Sequence, residues 1–105
     1  MLVLIVVSVP AWAGWVQKYR SGESSLAGGR TAIARERLQA ATKEAEVAGA
    51  SDAQLAAVYD ALGRAEMGSG HYRDGKRSFE KALRLAADGP LEARTAVTSN
   101  LGQAC

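Results

Sequence analysis

His71 and Cys105 are the only imidazole and the only thiol in this chain, so nucleophilic or acid–base chemistry built on such groups would have to use both. A nucleophile needs a base within hydrogen-bond reach. His71 falls beside Tyr72 in a glycine-punctuated turn and Cys105 is the terminal residue, so pairing them would require the chain end to fold back on another part of the molecule. A metal site needs several His or Cys at ligand spacing, and neither residue has a second copy. Ala27-Gly28-Gly29-Arg30 lacks both the flanking strand and the Lys-Ser/Thr of a phosphate-cradling loop, and reads as a helix stop. These residues predict no catalytic site, metal, cofactor or small-molecule substrate.

What remains is architecture. The 105 residues allow one domain. Ala supplies 21 of them, Pro only 2, and β-branched residues are scarce after residue 16, a composition that favours helix over strand. The 13 basic and 11 acidic residues are interspersed, with no block of like charge to track a phosphate backbone, so nucleic acid is not an expected partner.

The apolar run Leu2–Val9, broken only by Ser8, is too short to span a bilayer as a helix. It is followed by Pro10 and by Ala11-Trp12-Ala13, the small-residue pattern of a signal-peptidase site. Residues 1–13 therefore read as a secretory signal cut after Ala13, shortened at its front because no Lys or Arg precedes the apolar run. A buried N-terminal helix, or an uncleaved anchor holding the protein at a membrane surface, is the other reading. With a working signal the protein is periplasmic or secreted; without one it is cytoplasmic or membrane-associated. Cys105 has no disulfide partner within the chain.

An internal repeat organises the rest. Gly22 and Gly63 stand 41 positions apart, as do Gly29 and Gly70, while Gly63 and Gly102 are 39 apart. Ala34, Leu38 and Ala41 recur in the same register as Gly75, Phe79 and Ala82. A period near 40 without strand signals means stacked helical hairpins. Leu55, Val58, Tyr59 and Leu62 form one helical stripe, and Phe79, Ala82, Leu83 and Ala86 another. Met67-Gly-Ser-Gly70 breaks the chain between them, Ser51-x-x-Gln54 is a capping box, Gly49 ends the preceding helix, and Asp88-Gly89-Pro90 marks the next boundary. The pattern predicts helices over 15–28, 30–48, 52–67, 72–88 and 91–104.

Over Ala56–Ala87 the sequence resembles the tetratricopeptide repeat, with Tyr59, Leu62, Gly63, Gly70, Tyr72, Phe79, Ala82 and Leu83 where that family's pattern wants them. Glu66, Gly75 and Ala87 depart from it, standing where an aromatic, Ala and Pro are usual. Residues 14–50 form a degenerate first repeat, 51–89 the second, and 90–105 the first helix of a third that keeps Asn100, Leu101 and Gly102. The resemblance implies an all-α fold of antiparallel hairpins stacked as a right-handed α-solenoid, in an extended-period variant. On that packing Gly63, Gly75 and Ala82 let the backbones approach, while Tyr59, Leu62, Tyr72 and Phe79 fill the gaps beside them.

The resemblance further implies a concave face for peptide or protein partners, carried position by position by Tyr19, Glu23 and Leu26, by Asp60, Arg64 and Met67, and by Ser99 and Asn100. Asp60 and Arg64 equally suit a plain i, i+4 ion pair on a solvated face, and Met67 suits a gap filler. Ala61 stands where a clamp for a C-terminal carboxylate has Asn. The expected function is a protein–protein interaction scaffold and not an enzyme. The alternative is the repeat region of a longer exported enzyme or sensor, such as an array preceding a caspase-like peptidase. Val97, Leu101 and Ala104 line the last helix, so self-association through that face, or continuation into further repeats, is also expected.

Overall fold

The computed structural model describes residues 11–87, with side chains from Gly14 onward. Four helices account for nearly all of it: α1 (Ala11–Ala27), α2 (Thr31–Val47), α3 (Asp52–Gly68) and α4 (Tyr72–Ala86). The described residues are all-α and contain no strand. Helices α1 to α4 are those expected from the spacing of apolar and glycine residues, with ends shifted by a few residues. The largest shift is at α1, which begins at Ala11, ahead of the expected cleavage point. The expected helix over 91–104, with Ser99, Asn100, Leu101 and Gly102, lies outside the described residues, as does the apolar run Leu2–Val9.

The three turns share one construction. Gly29, Gly49 and Gly70 have φ of 77°, 75° and 85°, the left-handed conformation that a side chain penalises. After each glycine the next amide reaches back five residues, Arg30 to the Ser25 carbonyl, Ala50 to Ala45 and His71 to Glu66, at 2.8, 3.0 and 2.7 Å. This is the Schellman closure, which satisfies carbonyls that a helix end leaves unpaired. At the start of α3 the capping box is formed: the Gln54 amide donates to Ser51 Oγ at 3.2 Å and the Ser51 amide donates to Gln54 Oε1 at 2.9 Å. Asp52 adds a negative charge in the first turn, where the helix dipole favours one.

Glycine notches set the approach of the helices within each hairpin. A Cβ on Gly22 would lie 2.5 Å from Leu38 Cγ, and one on Gly63 would lie 2.6 Å from Phe79 Cε1. The two contacts are the same contact one repeat apart. Gly75 completes the second crossing, since a Cβ there would be 2.8 Å from Met67 Sδ and 3.2 Å from the Gly63 carbonyl oxygen.

Between hairpins, α2 packs on α3. Ala34 and Leu38 meet Ala61, Leu62 and Ala65 in one buried cluster. Ala41 and Ala45 meet Val58 and Trp15 in another. Leu38 and Val58 are fully buried, each contributing about 1.5–3 kcal/mol relative to exposure. Tyr72 departs from expectation. It is 63% exposed and fills no gap, because it opens α4 on the solvent side while Met67 occupies the space over Gly75.

Candidate functional site

Helices α1 and α3 are the first helices of their hairpins, and their facing residues come together in one polar face. Arg64 Nη2 donates to both carboxylate oxygens of Glu23, at 3.1 and 3.3 Å, joining α3 to α1. Arg64 Nε lies 3.4 Å from Asp60 Oδ2, one turn back on α3. That second approach is an ion pair without hydrogen-bond geometry, and Nε, buried, makes no hydrogen bond. Burial, together with the neighbouring Glu23 carboxylate, pushes the Tyr19 phenol up to about 12. Tyr19 also tilts against Trp15, with ring centroids 6.4 Å apart.

The arrangement follows from the repeat. Tyr19 and Asp60 occupy one register position and Glu23 and Arg64 the next, so two consecutive hairpins must bring them side by side. Four of the six described candidates thus share one half-exposed face. The expected solvated pair Asp60–Arg64 exists, and the structure adds Glu23 to it across the hairpins.

The other two candidates turn inward. Leu26 packs on the cluster of Ala34, Leu38 and Ala61, and Met67 lies against Gly75. Leu26 supports the α1–α2 packing, and Met67 is half-buried within the second hairpin.

Two further polar assemblies were not singled out in the sequence. Glu66 is only 5% exposed, and its Oε1 accepts a hydrogen bond from Ser78 Oγ at 2.5 Å. Burial raises the carboxyl pKa and Asp74 adds to the rise, while the Ser78 bond, Arg35 and His71 oppose it. The departure of Glu66 from the aromatic pattern was its signal, since a carboxylate on a core face needs a partner. On the other side of the stack, Tyr59 Oη donates to Glu46 at 2.7 Å, and Lys81 lies 3.4 Å from the same carboxylate and 4.8 Å above the Tyr59 ring. Residues from α2, α3 and α4 meet there. The Tyr59 bond holds the Glu46 carboxyl below its ordinary value.

None of these assemblies brings a nucleophile to a base. His71 is exposed in the turn before α4, and Cys105 lies outside the described residues. No group of three or more His, Cys, Asp or Glu among the described residues could hold a metal ion. No described helix is long and apolar enough to cross a membrane. No family model, curated protein or solved structure gives a match to the chain.

Proposed function

We propose that this chain is a binding scaffold of the tetratricopeptide-repeat kind, taking a peptide or a protein segment along the face where α1 and α3 lie side by side. The observation that carries this reading is the joining of Tyr19, Glu23, Asp60 and Arg64 across two hairpins into one half-exposed surface. Such a surface offers an aromatic ring for apolar contact and charged groups for orientation, the mixture that binding faces use. A partner must exchange its own polar groups for the ion pairs already present, so recognition weakens as salt rises.

An immobilised peptide library probed with the purified chain tests this. Peptides that bind are expected to lose binding to Arg64→Glu and Tyr19→Ala, and to keep it with Lys43→Glu, an exposed position on α2. Equal binding by all three variants would remove the assignment of this face.

A further inference from the structure

The repeat register shows a difference between the two hairpins that the fold itself does not require. On α3 the stripe Val58, Ala61, Leu62 and Ala65 is buried against α2, no member being more than 6% exposed. The same four positions of α1 are Gln17, Arg20, Ser21 and Ser24. Gln17, Arg20 and Ser24 are exposed, and Ser21 is half-buried.

The groove beside that stripe tells the same story. In the second hairpin the α3 stripe is occupied by α2 of the preceding one. In the first hairpin the corresponding space is an open groove of about 630 Å³, lined by residues including Gln17, Lys18, Ser21, Arg37 and Glu44. Two pairs of its polar groups meet across it. Lys18 pairs with Glu44 across the groove, and Arg37 Nη1 donates to Ser21 Oγ at 2.6 Å.

We infer that the first hairpin is a closed end: its α1 flank is built to face water and does not receive a further hairpin. A hairpin placed on α1 would strip solvent from Arg20, Gln17 and Ser24 without supplying partners, and terminal repeats need a polar outer face to stay soluble. On α4 the counterparts of Ala34, Ala41 and Ala45 are Gly75, Ala82 and Ala86, and all three are already buried, so the open polar flank is a property of α1. The inference stands apart from the peptide-binding reading, since it rests on a different flank of the molecule.

The test is to move the α3 stripe onto α1 in the full chain, as Gln17→Val, Arg20→Ala, Ser21→Leu and Ser24→Ala together. The variant then carries on this flank an apolar face that the parent chain lacks, and copies can cover it by associating. Sedimentation velocity is expected to show association that grows with concentration for the variant beyond whatever the parent chain shows. A variant that keeps its helical circular dichroism and sediments as the parent does overturns the inference. If the variant does not fold, a thiol at Arg20→Cys in a Cys105→Ser background decides. It is expected to react with a thiol reagent as fast as in an unfolded peptide at every protein concentration, and protection that grows with concentration overturns the inference.

Discussion

Ser78 Oγ lies 2.5 Å from Glu66 Oε1 across the second hairpin, and the same two register positions of the first hairpin hold Arg37 and Ser25, 3.3 Å apart. Both hairpins therefore carry a polar cross-tie at one level, with the chemistry exchanged: carboxylate to hydroxyl in one, hydroxyl to guanidinium in the other. Ser25 and Glu66 are both 5% exposed, so each tie has at least one end in packed surroundings, while Arg37 reaches Ser25 from an exposed position.

The Glu66 tie predicts a pH dependence. Because burial raises the folded-state pKa of this carboxyl above its ordinary 4.5, its contribution to stability is complete below that value and is lost as pH rises through the folded pKa. The groups facing it from neighbouring elements are Arg35 on α2, Asp74 and Ser78 on α4, and His71 in the turn. Glu66→Gln keeps an acceptor for Ser78 and removes the buried charge. Its melting temperature is expected to exceed that of the parent chain at pH 7 and to converge with it near pH 4. A variant less stable at pH 7 than at pH 4, relative to the parent, would contradict this.

The glycine notch predicts a steric cost with a specific remedy. Gly63→Ala places a methyl 2.6 Å from Phe79 Cε1 and should destabilise by about 1–3 kcal/mol. Adding Phe79→Leu should return part of that loss, read as a favourable coupling in a double-mutant cycle by chemical denaturation. Additive costs would mean that the ring is not what Gly63 accommodates.

Arg64 predicts a separation of binding from stability. Its side chain is 39% exposed, and exposed ion pairs are worth about 1 kcal/mol or less. Arg64→Glu sets a third carboxylate beside Glu23 and Asp60, so a loss of about 1 kcal/mol is expected with the helical circular dichroism unchanged. Peptide binding is expected to change far more. Global unfolding of this variant would make the residue structural.

The Tyr59, Glu46 and Lys81 cluster predicts a small, salt-sensitive contribution. Tyr59→Phe removes the bond to Glu46 and should cost about 0.5–1 kcal/mol at neutral pH. Since that bond lowers the folded-state pKa of Glu46, the contribution is present above the unfolded value and fades as pH falls through the folded one. Thermal melts of both chains at pH 7 and at pH 3 check the sign, the gap being expected to narrow in acid.

Gly29, Gly49 and Gly70 were legible as helix stops because the left-handed conformation they adopt leaves few other choices at those positions. Ser51 and Gln54 were legible for a similar reason, since a capping box is local in sequence. The shared register of Tyr19 with Asp60 and of Glu23 with Arg64 was legible in the period, whereas the bond from Arg64 to Glu23 was not, since a period does not say which neighbours pair. Tyr72, by contrast, was misplaced, because a repeat register gives a residue's height along the stack and not which neighbour fills the space beside it. Met67, with its flexible thioether, reached the gap over Gly75 instead. The Ser78–Glu66 tie stayed hidden because its partners sit on different helices, and nothing in either helix alone announces the other.

Among the described helices, packing joins each to the next in sequence, apart from a slight touch between α1 and α3. Among these helices no long loop has to close before contacts begin to reward the chain, so the entropic barrier to folding them is low. Structure can therefore be gained in the order of synthesis: α1 and α2 can lock through Gly22 and Leu38 while α4 is still being made. The ribosome would release such a chain already half built.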